Sequence, residues 1–95
     1  MKVGIAGSVE SNDVLITVQP SETLIIEITS IVDAFFHDQI EKVINDTLKE
    51  NNITNVKVTC QDKGALDYTI KARLVTALKR MGWFHEKKFI IHSWQ

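Results

Sequence analysis

Apolar and polar positions along the chain follow two kinds of spacing, one typical of strands and one typical of helices. Four short segments have the composition or alternation of β-strands: 3–7, 14–18, 23–29 and 53–60. In the last of them Val56, Val58 and Cys60 share one face, which is the pattern of a half-buried strand. The second and third segments are separated by Gln19–Glu22, and we predict that they form a β-hairpin.

Two longer segments carry helical spacing. The first is predicted to begin near Ser30, where Ser30 and Asp33 resemble a capping box, and to end at Asn51–Asn52. Its apolar face consists of Val32, Phe36, Ile40, Val43, Ile44, Thr47 and Leu48. The second is predicted to end at Gly82, and its stripe is Leu66, Ile70, Leu74, Leu78 and Met81. The order β-β-β-α-β-α predicts an α+β fold: a two-layer domain with a mainly antiparallel sheet and two helices on one face.

Composition adds limits to this picture. A chain of 95 residues is long enough for one domain, and we expect that domain over 1–82. The remaining residues, 83–95, are predicted to be an aromatic and basic tail that could pack on the domain. With 44% hydrophobic and 24% charged residues, the chain should fold.

A net charge of −1 argues against a nucleic-acid partner, and no apolar run has the length of a membrane span. The single cysteine fits a reducing compartment, so we expect a cytoplasmic protein.

Charge is distributed unevenly along the chain. Residues 1–64 contain ten acidic and five basic side chains, whereas residues 65–95 contain six basic and two acidic ones. The cations of the second part are Lys71, Arg73, Lys79, Arg80, Lys87 and Lys88. One interpretation is two solvated faces of one domain. The other is that the basic region docks on a partner.

The side chains do not form a recognisable catalytic or metal-binding set. His37, His85 and His92 lack partners at metal-ligand spacing, so we expect no metal site. Cys60 is predicted to be a buried structural thiol. The polar cluster Glu10–Asp13 is a turn between strands, and an exposed serine there could accept a covalent group. No histidine stands near that serine in sequence to complete a hydrolase triad, so we expect no catalytic residues.

Two motifs nevertheless carry a specific resemblance. The segment Ala6-Gly-Ser-Val-Glu-Ser-Asn-Asp-Val14 resembles the N-terminal motif of the acyl carrier (gamma) subunit of citrate lyase. The segment Asp62-Lys-Gly-Ala-Leu-Asp67, followed by Thr69-Ile-Lys-Ala-Arg73, is similar to the second signature of that family. The two motifs occur in the family's order and at a matching distance, and the resemblance extends over residues 3–80, most of the predicted domain.

The resemblance implies a function that composition and spacing do not reach. It implies that Ser11 carries 2′-(5″-phosphoribosyl)-3′-dephospho-CoA through a phosphodiester bond, which makes the chain a phosphoprotein. The thiol of that arm would hold acetyl and then citryl thioesters, while a transferase (alpha) subunit and a lyase (beta) subunit convert citrate to oxaloacetate and acetate. A prosthetic-group transferase would attach the arm. The carrier would then supply no catalytic side chain, because the cofactor brings the sulfur.

Three alternatives remain at this stage. The related acyl carrier subunit of malonate decarboxylase would use the same type of arm. A non-catalytic interaction module would use Glu10–Asp13 only as a turn. A small standalone enzyme is disfavoured by the missing catalytic set.

Overall fold

The computed structural model describes residues 2–31 and 34–82, and these residues form one four-stranded sheet and two helices. The strands are β1 (Gly4–Gly7), β2 (Val14–Pro20), β3 (Ile25–Ser30) and β4 (Val56–Asp62). The helices are α1 (Ala34–Glu50) and α2 (Asp67–Met81). The predicted order of elements and the α+β class are confirmed. No described helix is long and apolar enough to cross a membrane.

The order of strands in the sheet is β1-β2-β4-β3. β1 pairs with β2 and β2 pairs with β4 in antiparallel fashion, whereas β3 runs parallel to β4. The sheet is therefore mainly antiparallel, as predicted. A parallel pair needs a crossover connection, and α1 lies in the connection from β3 to β4.

The predicted hairpin of β2 with β3 is wrong, because β4 lies between these two strands. After β2 the chain reverses direction, but β3 lies on the far side of β4 and does not pair with β2. At the end of β2, Pro20 is opposite Val56, and the Ser21 N–H donates to the Asn55 carbonyl at 3.1 Å. Alternation along a strand shows which face is buried but does not identify the neighbouring strand, so the pattern could not distinguish the two arrangements.

The core lies between one sheet face and the two helices. Buried side chains alternate along β2 (Val14, Ile16, Val18) and along β4 (Val56, Val58, Cys60), as the spacing predicted for β4. Both helices contribute to the same cluster, through Ile40, Ile44 and Leu48 of α1 and Ile70, Leu74, Leu78 and Met81 of α2. Removing this apolar surface from water is the main force that holds the two layers together.

The ends of the helices match the sequence predictions only in part. Ser30 is the last residue of β3, and α1 begins at Ala34. The predicted helix start at Ser30 is therefore wrong, and its hydroxyl donates instead to an Asp62 carboxylate oxygen at 2.9 Å. Val32 and Asp33 lie outside the described residues. Gly82 ends α2 as predicted, with φ 95 and its N–H directed to the carbonyls of Leu78 and Lys79.

The predicted tail, 83–95, also lies outside the described residues, together with its aromatic side chains and His85 and His92. Its role stays a prediction.

Candidate functional site

Ser11 lies at the tip of the turn that joins β1 to β2. The turn is closed by the Asp13 N–H, which donates to the Glu10 carbonyl at 3.1 Å. Asn12 has φ 66, in the left-handed region that asparagine tolerates better than most residues. Ser11 itself is exposed, so the sequence interpretation of a serine presented on a turn is confirmed as a matter of position.

A second loop, which follows β4, holds this turn from the side. The Asn12 N–H donates to the Lys63 carbonyl at 2.8 Å, and the Lys63 N–H donates to the Asp13 carbonyl at 2.9 Å. Two residues of the turn, Asn12 and Asp13, therefore face the single residue Lys63 of the loop, which is the arrangement of a β-bulge with its first residue in the left-handed region. These two hydrogen bonds to Lys63 fix the backbone of the two residues that follow Ser11.

The Asp13 carboxylate organises the turn. It accepts a hydrogen bond from the Ser8 hydroxyl at 2.7 Å and one from the Val14 N–H at 2.7 Å. From α2 the Arg73 guanidinium adds an Nε contact at 3.1 Å and an N–H contact at 3.4 Å. Strand, turn and helix are thus joined at one acidic side chain.

The same contacts determine the ionisation of Asp13. Hydrogen bonds from Ser8, from the Val14 N–H and from Arg73 favour the charged form and lower the pKa of Asp13 to about 2. Partial burial acts in the opposite direction but is outweighed. The carboxylate therefore stays ionised throughout the physiological range.

We expect Asp13→Asn to lower the stability of the fold and to flatten its dependence on acid pH. Because the folded-state pKa lies below the ordinary value of 3.8, the contribution of Asp13 is fully present above about pH 4 and is lost as pH falls toward 2. Chemical denaturation of both proteins at pH 7 and pH 2.5 measures this. An equal loss of stability on acidification in both proteins would contradict the assignment.

The loop after β4 has its own carboxylate anchor. Asp62 is 2% exposed, and besides the Ser30 hydroxyl it accepts a hydrogen bond from the Ala65 N–H at 3.0 Å. These two contacts fix the chain as it leaves the sheet and turns toward α2. The two motifs identified in the sequence are therefore in direct backbone contact, since the first contains Asn12 and the second contains Lys63.

Within this turn the two serines differ in what their hydroxyls do. Ser8 donates to Asp13 and accepts from the Glu10 N–H at 3.3 Å, so its oxygen is engaged in the turn. The Ser11 side chain makes no hydrogen bond to any of the described residues. An exposed hydroxyl at the tip of a braced turn leaves room for a large substituent, and the site therefore fits a covalently attached group. No described side chain is bonded to Ser11 as a base, so the turn offers the hydroxyl but does not activate it.

Cys60 is buried on the core face of β4, as predicted. Burial raises the pKa of its thiol to about 12, and the nearby charge of Asp62 adds to the effect. A thiol with such a pKa is almost entirely protonated at neutral pH and is a poor nucleophile.

We therefore expect Cys60 to react with iodoacetamide at least about a hundredfold more slowly in the folded protein than in the unfolded chain. Cys60→Ala should cost roughly 1–2 kcal/mol of stability through the cavity it leaves, while the turn that presents Ser11 keeps its structure. Intact mass after timed alkylation measures the first effect. Rapid labelling of the native protein would contradict the buried assignment.

Among the described residues, one set of side chains could approach a single metal ion. His37, Asp38 and Glu41 bring ligand atoms within 4.8 Å of one another on the first turns of α1. Asp38 and Glu41 are exposed and His37 is half-buried. Exposed acidic groups of this kind are common without a metal ion, and this set lies on a different element from Ser11.

The basic residues of α2 have partners within the domain. Lys71 forms an ion pair with Glu50 at 2.9 Å, and Arg80 donates to the Ile5 carbonyl at 2.7 Å. Together with the Arg73 contact to Asp13, these interactions give three of the predicted docking cations a structural role. Sequence spacing could not reveal them, because Arg73 and Asp13 are 60 positions apart. Lys87 and Lys88 lie outside the described residues.

An apolar groove borders the loop that follows β4. It has a volume of about 540 Å³ and is lined by Phe36, Gln39, Ala65, Leu66, Asp67 and Tyr68. Leu66 is 60% exposed and Tyr68 is 72% exposed. Leu66, which helical spacing placed on the apolar stripe of the second helix, is the N-cap residue of α2 and lies outside the core, so that part of the prediction is wrong. Phe36, predicted on the apolar face of the first helix, is also exposed. Three of its lining residues, Ala65, Leu66 and Asp67, belong to the second motif, which also contains Lys63.

Comparison with known proteins agrees with the two motifs. Residues 1–81 match the sequence model of an acyl carrier family described as malonate decarboxylase delta subunit (MdcD). A citrate lyase acyl carrier protein of Halothermothrix orenii is 49% identical over 76 residues, which cover 79% of this chain and 81% of that protein. One from Fusobacterium nucleatum is 40% identical over 89 residues, covering 92% and 95%. The chain belongs to the citrate lyase acyl carrier protein family, which confirms the resemblance drawn from its motifs.

A solved structure supports the fold independently. The chain is similar to one in the crystal structure of a Pseudomonas malonate decarboxylase hetero-tetramer in complex with malonate, with a TM-score of 0.74. The match covers 84% of each chain at 17% sequence identity. At that identity the likeness concerns the fold alone.

Proposed function

We propose that this protein is the acyl carrier subunit of a citrate lyase complex and that Ser11 is the residue that carries its prosthetic group. The group is proposed to be 2′-(5″-phosphoribosyl)-3′-dephospho-CoA, joined to the Ser11 oxygen by a phosphodiester. The observation that carries this proposal is the turn itself, which presents a serine hydroxyl without a hydrogen bond to the described part of the chain, on a backbone held by the second family motif.

The attached group would supply a terminal thiol that holds acetyl and citryl units as thioesters during cleavage of citrate to oxaloacetate and acetate. The chain's own residues have a different task. The Asp13 and Asp62 contacts keep the attachment point fixed relative to the domain, while the exposed position of Ser11 leaves the arm free to reach partner active sites. A tethered thioester meets those sites at a high effective concentration, because each delivery is intramolecular.

The proposed partners are the transferase (alpha) and lyase (beta) subunits, together with the transferase that attaches the arm. Small size and a fold shared with a chain of a hetero-tetramer support a subunit role. The exposed groove around Leu66 and Tyr68 includes Ala65 of the loop that follows β4 and offers apolar surface for such contacts. A cytoplasmic location is part of the proposal, since the single cysteine fits a reducing compartment.

The second candidate is the acyl carrier subunit of malonate decarboxylase. The family description and the structural match favour it, whereas the relatives at 40–49% identity favour citrate lyase. Identity at that level over most of both chains outweighs a likeness of fold at 17% identity.

Reconstitution separates the two candidates. The loaded carrier is mixed with citrate lyase transferase and lyase subunits, or with the corresponding malonate decarboxylase subunits, and the formation of oxaloacetate or the release of CO₂ is measured. We expect citrate-dependent oxaloacetate only. Malonate decarboxylation at a comparable rate, with no citrate cleavage, would move the assignment to the second candidate.

A further inference from the structure

We propose that Lys63 is a positioning residue for the phosphate on Ser11, in the donor before attachment and in the phosphodiester afterwards. This inference rests on the proposed function, because it concerns the group that Ser11 is proposed to carry. It adds a recognition role for a cation on the second motif.

The backbone places Lys63 beside the attachment point. Its carbonyl accepts from the Asn12 N–H and its N–H donates to the Asp13 carbonyl, at 2.8 and 2.9 Å. Lys63 is therefore opposite the two residues that directly follow Ser11. A lysine carries its ammonium on a flexible stem, so from this position it can follow a phosphate that changes place as the arm moves.

Among the described charged side chains around the turn, Lys63 is the cation that is available to contact a phosphate. Arg73 is committed to Asp13 through both its Nε and a terminal N–H, so those two charges offset each other. Glu10 is exposed in the turn and would repel an anion. The half-buried Lys63 side chain makes no ion pair or hydrogen bond with the other described residues.

The attachment step defines what the cation would do. The Ser11 oxygen forms a bond to phosphorus of a donor activated as a phosphoanhydride, and the anhydride P–O bond breaks as the leaving phosphate departs with the electron pair. The hydroxyl proton passes to a base of the transferase or to water. A nearby ammonium offsets the repulsion between the anionic donor and Glu10 and orients the phosphate toward Ser11.

The test measures attachment to the unloaded carrier by intact mass, with the prosthetic-group transferase, across a salt series. Lys63→Glu is expected to lower kcat/KM about tenfold at low salt, and the difference should shrink below about threefold at high salt. Lys63→Arg should restore attachment to within about twofold of the unchanged protein. Lys57→Glu is the control for a charge reversal remote from the turn, because Lys57 lies near the start of β4 and Lys63 directly follows its end. Since Lys57 pairs with Glu27 at 3.6 Å, denaturant unfolding of both variants confirms that they are folded.

A second measurement tests whether Lys63 contacts the phosphate of the carrier itself and does not act only by binding the transferase. In the loaded protein, Lys63→Met should shift the phosphorus NMR resonance of the phosphodiester toward its value in a short peptide containing Ser11, and Lys57→Met should not. Two results would overturn the inference: equal kinetics for Lys63→Glu and Lys57→Glu, or slower attachment without any change in the phosphorus resonance.

These outcomes are distinct from failure of the proposed function. If the unchanged protein accepts no group on Ser11, both the function and the inference fail. If it accepts the group and the Lys63 variants behave like the control, only the inference fails.

Discussion

Ser11→Ala is expected to prevent attachment of the prosthetic group and to abolish citrate cleavage by the reconstituted complex. The substitution removes the proposed acceptor oxygen, and no neighbouring hydroxyl of the turn has the same position. Folding should be unaffected, since Ser11 is exposed and its side chain makes no hydrogen bond to the described residues; a change within about 0.5 kcal/mol is expected. Intact mass, complex activity and denaturant unfolding measure the three effects.

Ser8→Ala is the matched control in the same turn. Ser8 donates to Asp13, so its loss should cost roughly 0.5–1.5 kcal/mol of stability while attachment continues. Normal activity of Ser11→Ala, or loss of attachment in Ser8→Ala without unfolding, would contradict the assignment of Ser11 as the attachment residue and of Ser8 as a structural residue.

Gly7→Ala is expected to destabilise the fold by roughly 2–4 kcal/mol, the largest stability effect predicted for this site. Gly7 has φ +92, and a Cβ at this position would lie 1.8 Å from the Val14 carbonyl oxygen. Both the left-handed backbone and the contact must therefore be relieved, which displaces the strand ends that hold the turn. Chemical denaturation measures the cost, and attachment kinetics should slow in parallel.

Gly64→Ala separates the cost of the left-handed backbone from the cost of the steric contact. Gly64 has φ +94, but its added Cβ would approach only the Asn12 side chain, at 3.6 Å. It should therefore show the conformational cost alone, about 1–2 kcal/mol. An equal cost in both variants would mean that the close approach to Val14 has no effect.

The sequence predicted elements better than it predicted their neighbours. The alternation of Val56, Val58 and Cys60 identified the buried face of β4, and helical spacing identified most of the core of α2. The pairing of β2 with β3 was wrong because strand pairing depends on contacts far apart in the chain. The start of α1 was also misplaced, since Ser30 bonds to Asp62, 32 positions away, and does not begin the helix.

In the candidate site, too, the local features were predicted from the sequence, whereas the contacts between distant parts of the chain were not. Local composition predicted a turn around Ser11, and the two motifs predicted the family. The contacts that hold the turn could not be predicted from the spacing of residues, because they join parts of the chain that are far apart in sequence. Arg73 of α2 donates to Asp13, and the Lys63 backbone bonds to the turn across the bulge. These contacts explain why the two motifs go together. The first presents the serine, and the second holds the backbone that presents it.

Mass spectrometry of the carrier purified from its native host tests the central claim most directly. After proteolysis, we predict that the peptide containing Ser11 carries one adduct with the mass of phosphoribosyl-dephospho-CoA, and that fragmentation places it on Ser11 and not on Ser8. An unmodified Ser11 in carrier from an active complex, or the same adduct on another residue, would contradict the account.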